Sequence, residues 1–123
     1  MTQLQLTQKQ LTEFDDSRFQ DFREFMVKHL RDQVGGDFTT QSDDDLLKYV
    51  DAGITKAKSY GATENEAFGM YIVMMTEFGD DFDDNSEYPW AKDSLTDKTV
   101  KDANDRIRNT VALCSFYLSN LDE

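Results

Sequence analysis

The chain has 123 residues, the size of one domain, with 25 Asp and Glu against 13 Lys and Arg for a formal net charge of -12. That sign disfavours nucleic acid and anionic membranes, whose binding draws on Lys and Arg to displace counterions, and it favours basic partners when it does not serve solubility alone. A single cysteine, Cys114, excludes an intramolecular disulfide and a multi-cysteine metal site and fits a reducing, cytoplasmic setting.

Residues 1–13 alternate weakly through Leu4, Leu6 and Leu11, as an extended lead-in or a frayed first turn, and carry no secretion-signal pattern. From Asp16 to about Val34, Phe19, Phe22, Phe25, Met26, Leu30 and Val34 recur at helical spacing, and Gly35-Gly36 supplies the stop. Ser42 followed by Asp43, Asp44 and Asp45 reads as an N-cap with acids complementing the helix dipole. The helix it opens turns Leu46, Leu47, Val50, Ile54 and Ala57 inward and closes at Tyr60-Gly61.

Thr63-Glu64-Asn65-Glu66 reads as a capping box opening a third helix, with Phe68, Tyr71, Ile72, Met75 and Phe78 as its buried stripe and Gly79 as its end. Met70, Val73 and Met74 make that helix apolar around much of its circumference, which predicts a central position. The acidic run from Asp80 to Glu87 leads into Tyr88-Pro89-Trp90-Ala91, where Pro89 suits the first turn of a short helix capped by Ser86. A last helix is predicted from near Thr96 or Thr99 to about Asn120, with Val100, Ile107, Val111, Cys114, Tyr117, Leu118 and Leu121 near one face and Lys101, Asp102, Asp105 and Arg106 on the wet side. No strand pattern, repeat, linker or run of about 18 apolar residues occurs. The prediction is an all-α single-domain bundle over 1–123, with four longer helices and one short helix.

The acidic run matches the first three ligand positions of an EF-hand loop through Asp81, Asp83 and Asn85. It then departs, because Ser86 stands where the loop needs Gly and Lys92 where it needs a bidentate Glu. Two further readings stand beside calcium: a solvated loop that caps the next helix, or a partner-facing loop with Phe82 as an apolar anchor. On the second, the partner-binding residues are Asp80, Asp81, Phe82, Asp83, Asp84, Tyr88 and Trp90, combining charge for steering with aromatics for anchoring. Trp90 could equally plug the end of the bundle.

His29 is the only histidine, so a zinc site or a catalytic triad would have to be built around it, and the glycines follow no phosphate-loop spacing. Cys114 reads as a small apolar residue rather than a nucleophile in so acidic a chain. The expectation is a protein without catalytic residues, metal or cofactor.

The order of several elements resembles a family of small helical proteins encoded beside VgrG, PAAR or Rhs genes in type VI secretion and polymorphic-toxin loci. The resemblance is carried by Gln10-Leu11, Phe22 to Leu30, Ala52-Gly53-Ile54 with Ala57, Tyr60-Gly61, Glu64 and Glu66, Phe78-Gly79-Asp80-Asp81-Phe82 and Pro89-Trp90-Ala91 with Leu95. It implies a non-catalytic accessory role, as an immunity protein or as a chaperone or adaptor, with a basic toxin or a secretion tip component as partner. A calcium-responsive helical module, or an enzyme using His29, Cys114 or a carboxylate pair, are the alternatives.

Overall fold

A computed structural model describes residues 8–121, with side chains over 18–120. The protein is all-α, with four longer helices and a short one: α1 (Gln8–His29), α2 (Asp43–Ser59), α3 (Asn65–Phe78), α4 (Pro89–Leu95) and α5 (Ala103–Leu121). The described residues contain no strand, and none of their helices is long and apolar enough to cross a membrane. The chain divides into two compact units, 1–48 and 49–123, with the boundary inside α2.

In the first unit, α1 begins at Gln8, so part of the predicted lead-in is helical, while residues 1–7 lie outside the described part. Met26 and Leu30 are buried as their spacing demands, but Phe25 is 61 % exposed and stacks on His29 at 6.0 Å. Met26, Val27 and Leu30 define the inward face, and at about 100° per residue Phe25 points roughly 150° away from its middle. Beyond His29 the helix widens into a π turn over Leu30–Val34, closed by the Gly35 amide donating to the Leu30 carbonyl at 3.0 Å. Val34, the last residue of that turn, is exposed. Gly35 and Gly36 both take positive φ, 72° and 59°, which is why two glycines stand at this stop. Arg31 binds the start of α2, donating to Asp43 Oδ1 at 2.6 Å and to the Gln41 carbonyl at 2.9 Å. Ser42 caps α2 as predicted, its Oγ accepting from the Asp45 amide at 3.1 Å.

In the second unit the core is built from Val50, Ile54 and Ala57 of α2, Phe68, Tyr71, Ile72 and Met75 of α3, Ala91 and Leu95 of α4, and Ile107 and Cys114 of α5, all buried. Gly53 permits the approach of α3, since a Cβ there would stand 2.5 Å from Ile72 Cγ1. The sides of α3 are not equally covered: Met74 is buried, whereas Val73 is 39 % exposed.

Three predicted helix starts are corrected here. The amides of Thr63 and Glu64 donate not to a local capping box but to Asn104 Oδ1 of α5, at 2.9 and 3.1 Å. Asn104 is held in turn by Asp102 Oδ1, which accepts from its amide at 2.8 Å and from its Nδ2 at 3.0 Å, so Asp102 caps α5 at Ala103 rather than near Thr96 or Thr99. Ser86 does not cap α4: Tyr88 holds the N-cap position without a side-chain bond, and Asn85 Oδ1 accepts the Glu87 amide at 2.9 Å. Pro89 opens α4 as expected. Arg106, expected on the wet side, instead braces the turn before α5 by donating to the carbonyls of Asp97 and Val100 at 3.0 and 2.6 Å.

Candidate functional site

The acidic run forms the link between α3 and α4. Gly79, at φ 102°, stops α3, and successive turns follow as Phe82 N donates to Gly79 O, Asp84 N to Asp81 O and Tyr88 N to Asn85 O. The turns direct Phe82 and Asp83 inward and leave Asp80, Asp81 and Asp84 outside. Phe82 is fully buried with its ring 5.1 Å from that of Tyr71, so as folded it offers no apolar anchor to a partner. The expectation for Phe82 and Asp83 is therefore corrected: burying a large ring under the link satisfies the hydrophobic effect better than exposing it beside five acids.

Asp83 is 1 % exposed and accepts from Lys56 Nζ and from the Tyr60 hydroxyl, both at 2.7 Å. Burial opposes its charge, but those bonds and the lysine's field outweigh burial and hold the carboxyl below the usual carboxylate range. The same surroundings push Tyr60 up to about 12, through burial first and its bond to Asp83 second. Next to this pair Lys92 binds Asp84 at 2.8 Å and lies over the Tyr60 ring at 5.4 Å. Two lysines thus pair with two aspartates, Asp83 buried and Asp84 at the surface. Asp83 Oδ1 and the Tyr71 hydroxyl, both buried, have no hydrogen-bond partner among the described residues; burial and then the Asp83 charge raise the pKa of Tyr71.

The residues matched to the calcium loop are not brought together by the same geometry. Asp83 faces Lys56 and not Asp81, so the matched ligand positions do not converge, and among the described residues no group of three His, Cys, Asp or Glu is arranged to hold a metal ion. Asp80 lies by Tyr49, whose ionisation is opposed by burial and then by that carboxylate.

The outward side of the link is aromatic. Phe78, Tyr88, Trp90 and Tyr117 are all half-buried, and every pair among them is in ring contact, from 5.0 Å for Phe78 and Tyr88 to 5.9 Å for Tyr88 and Trp90. Edge-on geometries dominate, with interplanar angles up to 88°, as the ring quadrupoles prefer. Glu87 and Asp81, whose charges act on Tyr88 of this cluster, are exposed and form no ion pair among the described residues. Tyr88 and Trp90 are thus brought together with Asp81 on one face, while Phe82 and Asp83 are withdrawn from it.

The residues considered for catalysis are differently placed. Cys114 is buried, and burial followed by the charge of Glu77 pushes its thiol up to about 12, so it is not a thiolate at neutral pH. His29 stacks on Phe25. Arg108 gathers the carboxylates of Glu64, Glu66 and Asp105, an arrangement that sequence reasoning missed because its partners lie up to 44 residues away. Lys56 and Lys92 were also missed; the available signal was a pair of cations flanking an otherwise uncompensated acidic run. No family model matches this chain, and neither a curated protein nor a solved structure matches it.

Proposed function

We propose that this chain is a non-catalytic binding protein that engages a basic protein partner through the face formed by Asp81, Glu87, Tyr88 and Trp90. The observation that carries the reading is a closed cluster of four half-exposed aromatic rings bordered by carboxylates with no internal cation. Aromatic side chains next to unspent charge give anchoring and steering at one place, the combination on which interface hot spots depend. The formal net charge of -12 supports the sign of the partner.

The finer reading is that the partner is a secreted bacterial toxin or a secretion tip component, met in the cytoplasm, and that this chain neutralises or escorts it. The residue resemblance from Gln10 to Leu95 supports it. Coexpression with the products of neighbouring genes should yield a stable complex that an Asp81→Lys, Tyr88→Ala double variant loses; no complex with any of them counts heavily against the proposal. Deletion should poison cells only when an adjacent toxin is intact if the role is immunity, and should stop delivery from healthy cells if the role is escort.

A further inference from the structure

Next to the aromatic cluster, α4 and α5 leave a groove of about 570 Å³ between them. Trp90, Asp93, Ser94 and Asp97 line one wall and Ala112 and Leu113 the other. The spacing of the first four, at i, i+3, i+4 and i+7, places them on one helical stripe extended by the turn after α4. Below them the Thr110 hydroxyl donates to Ser94 Oγ at 2.8 Å and ties the two helices together. The apolar strip continues past the groove on α5, where Phe116, one turn beyond Ala112 and Leu113, is 68 % exposed. Two carboxylates and no cation line this groove, and the Asp93 side chain makes no hydrogen bond or ion pair among the described residues.

We propose that this groove seats a basic amphipathic helix of a protein partner, one apolar side chain lying against Trp90 and Leu113 and a Lys or Arg one turn along it meeting Asp93. This inference rests on the binding role proposed above and adds to it a seat and a class of partner. The walls span two helical turns, about 10 Å, enough to hold two turns of a third helix. The groove's own sign selects the occupant: a second copy of a chain with net charge -12 would bring like charge to Asp93 and Asp97, whereas a cationic helix is drawn in.

Trp90, the only tryptophan, reports directly on the groove. A designed Leu/Lys amphipathic helical peptide of about 18 residues should change its emission saturably, and a Leu/Glu peptide of the same pattern should not. Asp93→Lys and Leu113→Ser should each weaken the Leu/Lys peptide about tenfold, and Asp37→Lys, a charge reversal in the other unit, should leave it within about twofold. Equal affinity across all variants overturns the groove as the seat but leaves the broader binding role standing. Failure of both peptides to bind the unaltered chain counts against both. Sedimentation of the chain alone showing a dimer that Leu113→Ser separates would assign the groove to a second copy and overturn the proposal.

Discussion

The two faces of the α3–α4 link have nearly the same composition, aromatic rings beside aspartates, and opposite fates. Inward, Phe82 and Asp83 are consumed by folding: the ring is covered and the carboxylate is held by Lys56 and Tyr60. Outward, Tyr88 and Trp90 stay half-exposed in a cluster whose neighbouring acids Asp81 and Glu87 have no ion-pair partner among the described residues. What separates the faces is whether a lysine reaches the carboxylate. Where a lysine can reach, an aspartate becomes structure; where none can, its charge stays available to another molecule.

The strongest way to break this contrast is Phe82→Ala. If the ring is core, truncation should cost about 3 to 5 kcal/mol in denaturant unfolding. A stable variant with lost partner binding would return Phe82 to the surface role first expected of it.

Asp83→Ala should cost about 2 to 4 kcal/mol, below the upper range for a broken buried pair because Lys56 keeps part of its access to water and lies 4.0 Å from Asp84. The pH dependence follows from the sign of the shift. A folded carboxyl held below its unfolded value contributes stability that is present above that value, near 3.8, and lost as pH falls through the folded value. The unaltered protein should therefore weaken in acid more steeply than Asp83→Asn, as thermal melts between pH 2 and 5 would show. These bounds are about those of a native aspartate's titration.

Tyr60→Phe removes one of the two donors to Asp83 and keeps the ring beneath Lys92, so it should cost about 1 kcal/mol, measured by the same unfolding curves. Trp90→Phe tests the outer face and should change stability least, within about 1 kcal/mol. The substitution keeps a ring in the cluster and removes an indole N–H that is buried and has no acceptor among the described residues. A loss as large as that of Phe82→Ala would mean that the outer cluster is core as well.

Helix class, the glycine stops and one helix start were legible because they depend on neighbouring residues: Ser42 caps three residues ahead, and Gly35, Gly61 and Gly79 stop helices through positive φ. The features that were not legible are those set by distant residues. The opening of α3 looked self-capped until Asn104, about forty positions later, took its amides. Phe82 looked available because four of its neighbours in the run are acids, and only the placement of Tyr71 and Lys56 turns that segment inward. In the candidate face Tyr88, Trp90 and Asp81 were readable from composition, whereas Phe78 and Tyr117 joined it through the packing of α3 against α5.

The four-ring cluster also bears on how the C-terminal end of α5 comes apart. Tyr117 takes part in three of the ring pairs, with Phe78, Tyr88 and Trp90. An ordinary helix end frays residue by residue, but past Tyr117 a further step of melting forfeits three contacts at once. Amide protection along α5 should accordingly fall in a single step at this residue rather than as a gradient, making Tyr117 a latch whose release is all-or-none.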